Sequence, residues 1–321
     1  MYRIGIDLGG TNIAVGICDT DYKILAKAST PTLAKRNAEL IVKDMASLAE
    51  SLMTKLEITK DEIEYVGIAA PGTINSRTGV IEYSNNIKIK DFPIVEVFKS
   101  YFGNTPVYLA NDANAAALGE AIAGVGKGKD SLIMITLGTG VGGGVVINGK
   151  IFEGGVNPFG AELGHTVIVA GGRQCTCGRR GCFEAYASAS ALAKITEEKI
   201  YELKLKGIPS LLIDEEKNEG HVTARTAFNA MKRGDKYASQ IIDDYISALA
   251  DGITNMINIF QPEVLAIGGG VCGEGDALMR PLRKLVSRDQ YTRDAQHKTH
   301  LAIAALGNDA GIVGAAALGN C

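Results

Sequence analysis

The run GHTVIVAGGRQCTCGRRGCFEAY, residues 164–186, holds one histidine and three cysteines: His165, Cys175, Cys177 and Cys182. One imidazole and three thiolates are the Cys3His donor set of a closed tetrahedral zinc site. Cys175 and Cys177 are separated by one residue, tighter than the usual spacing of about two to four, and Gly178 and Gly181 supply the turning that so short a loop needs. Free cysteines otherwise sit in apolar core segments, and this run is too polar and glycine-rich for one. Four protein ligands saturate the ion and leave no position for water or substrate, so the expected metal organises a loop and does no chemistry itself. Cys18, Cys272 and Cys321 have no comparable spacing and are read as ordinary thiols.

Glycine-rich turns are the second chemical feature. DLGGTN at 7–12 and TLGTGVGGG at 136–144 each follow an apolar strand, and the glycines at 268–270 follow EVLAI. Main-chain N–H groups of such turns point inward and hold phosphate where side chains would obstruct it. The turns lack the Walker lysine pattern. A hairpin strand follows each of the first two, so neither is the strand-turn-helix fingerprint of a dinucleotide fold. Taken singly, each is also compatible with a purely steric hairpin turn. In LANDAN at 109–114, Asn111 or Asp112 can cap a helix, and a carboxylate there can equally take a proton from an alcohol. Glu162 and Glu184, on their own, read as solvated acids.

The elements that must position these groups alternate between strands and helices. Strands are expected at 2–8, 12–18 and 24–29, then a helix over 34–56, a strand in IEYVGIAAPG that stops at Pro71, a helix over 92–102, a short strand at 107–109 and an alanine-rich helix over 111–123. IGIDLGGTN at residue 4 is then echoed by IMITLGTGV at residue 133, with a hairpin turning at Asn148-Gly149, which indicates two related halves. Helices are expected over 187–206, 223–231 and 237–260, followed by the strand before the third glycine run, a helix over 277–286, a strand at 301–304 and a helix over 309–318. The pattern is α/β.

Composition bounds the setting. A chain of 321 residues with 46% hydrophobic content suits two domains. Six cysteines do not make a secreted disulfide scaffold, and the start MYRIGIDLGG has none of the segments of a signal peptide, so a reducing cytoplasm is expected. No apolar run is long enough to cross a bilayer. With 33 basic against 36 acidic side chains, a net charge of -3 gives no electrostatic reason to expect nucleic acid or an anionic membrane as a partner.

Together DLGGTN, LANDANAAALGE, GTGVGGG, GAELGH and CTCGRRGCFE resemble the ROK family of sugar kinases and sugar-responsive repressors, over nearly the whole chain. The resemblance implies a two-lobed actin/hexokinase-like (ribonuclease H-like) ATPase fold with a duplicated core and the active site in the interlobe cleft. It implies a smaller lobe over 1–118, completed by a terminal helix near 305–321, and a larger lobe over 119–304 with the zinc loop. The implied reaction is ATP-dependent phosphorylation of glucose at its 6-hydroxyl with Mg2+, Asp112 being the general base and the zinc structural. Sugar contacts are implied for Gly72, Asn86, Asn111, Asp112, Glu162, His165 and Glu184. Ser84-Asn85-Asn86 stands where related sequences have a proline-asparagine pair, a departure from the family pattern. Asp7 is expected to face the magnesium through water. The nucleotide is expected at Gly9, Gly10, Thr11, Asn12, Gly138, Thr139 and Gly140, with Gly268, Gly269 and Gly270 on its ribose and adenine side. Another hexose or amino sugar (N-acetylglucosamine, N-acetylmannosamine, mannose, fructose) is the chemical alternative, and a non-catalytic sugar sensor the alternative of another class. Repressors of the family carry an amino-terminal DNA-binding domain, and the first strand here begins at Tyr2, so none is expected. The resemblance also implies a homodimer or homotetramer, and 237–260 has more apolar positions than one exposed helix face requires. The zinc loop is expected to set the sugar pocket and to leave the nucleotide loops formed when the metal is lost.

Overall fold

In the computed structural model, which describes residues 1–155 and 157–320, β1 (Tyr2–Leu8), β2 (Asn12–Cys18) and β3 (Ile24–Pro31) form the expected antiparallel meander. Cys321 lies outside the described residues. Helix α1 (Ala38–Leu56) starts where Asn37 Oδ1 accepts the Glu39 N–H at 3.0 Å, and it buries Ile41, Met45, Ala49 and Leu52 along one stripe. Next come β4 (Ile63–Ala70), β5 (Thr73–Asn75), β6 (Val80–Ser84) and β7 (Ile89–Phe92). Pro93 then fixes the start of α2 (Ile94–Phe102), which is followed by β8 (Val107–Asn111) and α3 (Asp112–Ala123). The second half opens with β9 (Ser131–Leu137), β10 (Val141–Ile147) and β11 (Lys150–Ile151). Five helices follow: α4 (Glu184–Ala187), α5 (Ala189–Leu205), α6 (Leu211–Glu219), α7 (Ala224–Lys232) and α8 (Lys236–Phe260). The chain closes with β12 (Val264–Gly268), α9 (Asp276–Asp289), β13 (His300–Ile303) and α10 (Ala310–Ala315).

The echo between residues 4 and 133 is a duplication of architecture. One sheet runs β3-β2-β1-β4-β8 and another runs β11-β10-β9-β12-β13, so β1 and β9 occupy the same central place in separate sheets. In the first, β1 pairs antiparallel with β2 and parallel with β4, and β4 pairs parallel with β8. In the second, β10 and β11 are antiparallel and β12 and β13 parallel. A third sheet, β5-β6-β7, forms from short segments whose few apolar residues gave no strand expectation.

Other departures have local causes. The helix expected over 187–206 is α5 and starts two residues later, because Ser188 adopts extended backbone and its Oγ caps the helix by accepting the Ala191 N–H at 3.0 Å. Helix α6 was hidden by its polar composition, LLIDEEKNE, which shows little helical stripe. The helix expected over 309–318 is α only at 310–315, with 3-10 turns at 307–309 and 318–320.

The chain divides into two units. The first comprises residues 1–134, 143–161 and those from Ala304 onward. Its core is built from Ile4, Ile6 and Leu8 of β1, Ile13, Val15 and Ile17 of β2, and the buried stripes of α1 and α2. Helix α10 packs on β1, β4 and α3. That approach is so close that a Cβ on Gly67 of β4 would meet the Ala315 carbonyl, and one on Gly314 would meet the Ala115 carbonyl. The second unit comprises 135–142 and 162–303. There Phe183, fully buried, lies against Gly252 of α8, and Tyr245 Oη donates to the Ala187 carbonyl at 2.9 Å. Burying a phenyl ring of this size stabilises by about 2–3 kcal/mol, and here it anchors the segment just after the last clustered cysteine.

Candidate functional site

Within the first unit, parallel strands bring candidate residues to one sheet edge. In the β1–β4 ladder Asp7 pairs with Ala69, and in the β4–β8 ladder Ala70 pairs with Asn111. Asp7, Gly72, Asn111 and Asp112 therefore stand at the carboxyl ends of adjacent parallel strands, where α/β proteins place ligands. Asn111 takes the cap of α3: its Oδ1 accepts the N–H of Ala113 at 2.9 Å and of Asn114 at 3.3 Å. Its Nδ2 donates to the Gly72 carbonyl at 3.2 Å. Asp112 is the first helical residue and its Oδ1 accepts the Ala113 N–H at 2.8 Å. The positive end of the helix favours its carboxylate.

Asp7 is half-buried, and burial first, then the nearby Asp112 carboxylate, push it up to about 6. The turn beyond it closes where the Gly9 N–H donates to the Asn12 carbonyl at 2.9 Å. Thr32, which the sequence reading missed, clamps this turn. Its Oγ1 donates to the Gly9 carbonyl at 2.6 Å and its N–H donates to the Thr11 carbonyl at 2.8 Å. Nothing in the local pattern flags Thr32, which reaches the turn only because β3 returns alongside β2. Asn86 is exposed beside the same turn, 3.4 Å from where a Cβ on Gly10 would lie.

Within the second unit, β9 ends at Leu137 and the Gly138 N–H donates to the Gly140 carbonyl at 3.0 Å. Gly138 and Thr139 are exposed. The Gly138 carbonyl accepts the Ala189 N–H at 2.9 Å, and the Val141 N–H donates to Glu184 Oε2 at 3.1 Å. β12 neighbours β9, and a Cβ on Gly269 would meet the Leu137 carbonyl, so the glycines that end β12 lie beside this turn. Glu162 is exposed and accepts, through its carbonyl, the His165 N–H at 3.1 Å in the 3-10 turn that carries His165.

His165, Cys175, Cys177 and Cys182 converge, their ligand atoms all lying within 4.8 Å of one another. His165 Nδ1 is 3.7 Å from Cys175 Sγ, and Cys177 Sγ is 3.7 Å from Cys182 Sγ. The loop holds this shape through its own backbone. Cys175 N–H donates to the Arg179 carbonyl at 2.9 Å, Gly178 N–H donates to the Cys175 carbonyl at 3.1 Å, and Val167 bridges Cys182. The Arg179 backbone N–H is the first cause lowering the Cys177 thiol, whereas burial pushes Cys182 up to about 12. A dication would repay that cost by binding the thiolate. One nitrogen and three sulfurs at this separation fit a tetrahedral zinc ion. Cys18 and Cys272 belong to no such group among the described residues.

A family model described as ROK family matches residues 3–320. A glucokinase of Halalkalibacterium halodurans is 38% identical over 314 residues, covering 98% of this chain and 93% of its own. A ROK hexokinase structure from Thermus thermophilus superposes with a TM-score of 0.80 at 33% identity, covering 98% of this chain and 97% of the other. A ROK family glucokinase from Streptomyces griseus, solved with glucose and AMPPNP, superposes with a TM-score of 0.77 at 31% identity, covering 99% of each chain.

Proposed function

The chain belongs to the ROK family, and we propose that it is an ATP-dependent glucokinase, converting glucose and ATP to glucose 6-phosphate and ADP. The observation that carries this reading is the placement of Asp112, at the first turn of α3 and beside the Asn111 cap that holds Gly72. Asp112 accepts the proton of the 6-hydroxyl as that oxygen attacks the γ-phosphorus and the bond to the β-phosphate oxygen breaks. Asn111, Glu162, His165, Glu184, Asn86 and the Gly72 backbone are assigned to the sugar hydroxyls, which each donate and accept. The turns at 9–12 and 138–140 and the glycines at 268–270 are assigned to the nucleotide. Mg2+ with the nucleotide supplies charge neutralisation, and Asp7, whose charge is disfavoured by burial and by Asp112, is the carboxylate assigned to face it.

The reading includes a structural zinc on His165, Cys175, Cys177 and Cys182. It includes the lobe boundary near 118 with 305–321 returning to the first lobe. It also includes a cytoplasmic setting, where reducing conditions keep the cysteine cluster available to metal. No helix among the described residues is long and apolar enough to cross a membrane. A homodimer or homotetramer is part of the same proposal, supported by the family, and a clean monomer on sedimentation at micromolar concentration would remove it.

The deciding experiment is incubation with Mg-ATP and a panel of glucose, mannose, fructose, N-acetylglucosamine and N-acetylmannosamine. ADP formation that depends on sugar, with the highest kcat/KM on glucose, is the expected result. Preference for another sugar would correct the substrate. Tight sugar binding without turnover by metal-replete protein would replace the kinase by a sensor.

A further inference from the structure

We propose that Thr176 and Glu184 are positioning residues for the 138–141 turn, so that the cysteine loop governs nucleotide binding as well as sugar binding. The proposal rests on the reading of that turn as a phosphate loop, and it departs from the expectation that the nucleotide loops stay formed when the metal is lost, because Glu184 bonds the Val141 N–H directly. Thr176 stands between two clustered cysteines, and its Oγ1 donates to Glu184 Oε1 at 2.9 Å. The other oxygen, Glu184 Oε2, accepts the Val141 N–H at 3.1 Å. A continuous path therefore runs from the loop hydroxyl through one carboxylate to the backbone of the turn. All of these residues lie in the second unit.

The turn depends on this segment at both ends. Gly138 is held through its carbonyl by the Ala189 N–H at 2.9 Å, and Val141 by Glu184. The fit at Gly140 is close, because a Cβ there would run into Glu184 Oε2. Cys175 Sγ also lies 3.7 Å from Glu184 Oε1. Ligands on either side of Thr176 fix where that hydroxyl points. Loss of the metal frees the loop that places Thr176, so that its hydroxyl no longer orients Glu184 and the carboxylate no longer fixes the Val141 N–H.

The test is calorimetric titration of Mg-AMPPNP into zinc-loaded and zinc-free protein, for the parent, Thr176→Val and Thr176→Ser, with zinc per chain measured in each. In zinc-loaded protein, Thr176→Val is expected to raise the nucleotide Kd by about 3- to 10-fold, the effect of one hydrogen bond, while Thr176→Ser restores the parent value. Zinc removal is expected to weaken the parent and to erase its difference from Thr176→Val. Should Thr176→Val fail to hold zinc, Glu184→Ala, which removes the acceptor of the Val141 N–H and leaves the loop's own side chains intact, is expected to show the same weakened nucleotide binding at full zinc content. Parent-like affinity in the substituted, zinc-loaded protein overturns the proposal. So does a serine variant as weak as the valine one, or a zinc-free parent that binds as tightly as the loaded one. A loaded parent that binds no nucleotide overturns the phosphate-loop reading itself, and this proposal with it.

Discussion

Asp112 was visible in the sequence as one of two acid-or-amide neighbours that could cap a helix, and the structure gives the cap to Asn111. The predicted behaviour of Asp112→Asn follows. Asparagine keeps the shape and the acceptor for the Ala113 N–H, so folding and much of the sugar affinity are expected to survive. Phosphoryl transfer is expected to fall by at least about 100-fold, because an amide cannot take the hydroxyl proton; near-normal turnover would remove Asp112 from the role of base. Asp7 carries a different prediction. Its carboxyl is held at about 6 by burial and then by Asp112, above its unfolded value of about 4. A raised carboxyl pKa means that its contribution to stability is fully present below about pH 4 and is lost as pH rises through 6. In ligand-free protein, Asp7→Asn is therefore expected to add up to about 3 kcal/mol at pH 8 and much less near pH 4.5, as read by urea unfolding at both. An equal effect at both pH values would show that the carboxyl is not held in this way. Residues such as Thr32 and Thr176 escaped the sequence because their partners are backbone groups or a carboxylate that only the folded chain brings near.

At the scale of elements, long strands and amphipathic helices were legible because burial writes a period into the sequence, as in Ile4, Ile6 and Leu8 or in Ile41, Met45 and Leu52. Short or polar elements were not: β5, β6 and β7 bury few side chains each, and α6 buries only Leu212 and Glu215. What holds α6 is a shared cap. Asp235 begins α8 by accepting the N–H of Tyr237 at 2.8 Å and of Ala238 at 2.9 Å. Its other oxygen accepts the Ser210 hydroxyl at 2.6 Å and the Leu211 N–H at 2.7 Å, where α6 starts. Burial opposes this carboxylate, but the donors outweigh it and hold its pKa below the ordinary value. Its stabilisation is accordingly present above about pH 4 and lost as pH falls through the lowered pKa. Asp235→Ala orphans two helix starts at once and is expected to cost about 2–4 kcal/mol near neutral pH, with the deficit shrinking in acid. A loss under about 0.5 kcal/mol in denaturant unfolding would show that the two helices do not depend on this cap. A comparable loss is expected for Gly67→Ala, where the added methyl meets the Ala315 carbonyl and α10 must move away from β4.

For the molecule as a whole, the duplication explains how much could be read from two short matching strings. Each half places its first strand at the centre of a five-stranded sheet, with the next two strands on one side and two later strands on the other, in the same order. The division into units was less legible, since 143–161 belongs with residues 1–134 although it follows them across β9 and the turn, and chain order carries no record of that return. The zinc loop falls wholly in the second unit, with its own anchor at Phe183 and Tyr245. Metal loss should therefore act locally before it acts globally. Metal analysis is expected to give about one zinc per chain. Stripping it is expected to speed amide hydrogen exchange across residues 165–183, which lose the ligands that fold the loop, while the β1 and β4 amides, in ladders of the first unit, keep their protection. Cys177→Ser should reproduce that pattern, because a hydroxyl is a poor replacement for a soft thiolate. Uniformly faster exchange in both units would mean that the metal supports the global fold. Unchanged exchange in the loop would mean that backbone bonds such as Cys175 N–H to the Arg179 carbonyl are sufficient without it, and the cluster would then have to be explained by something other than holding the loop in shape.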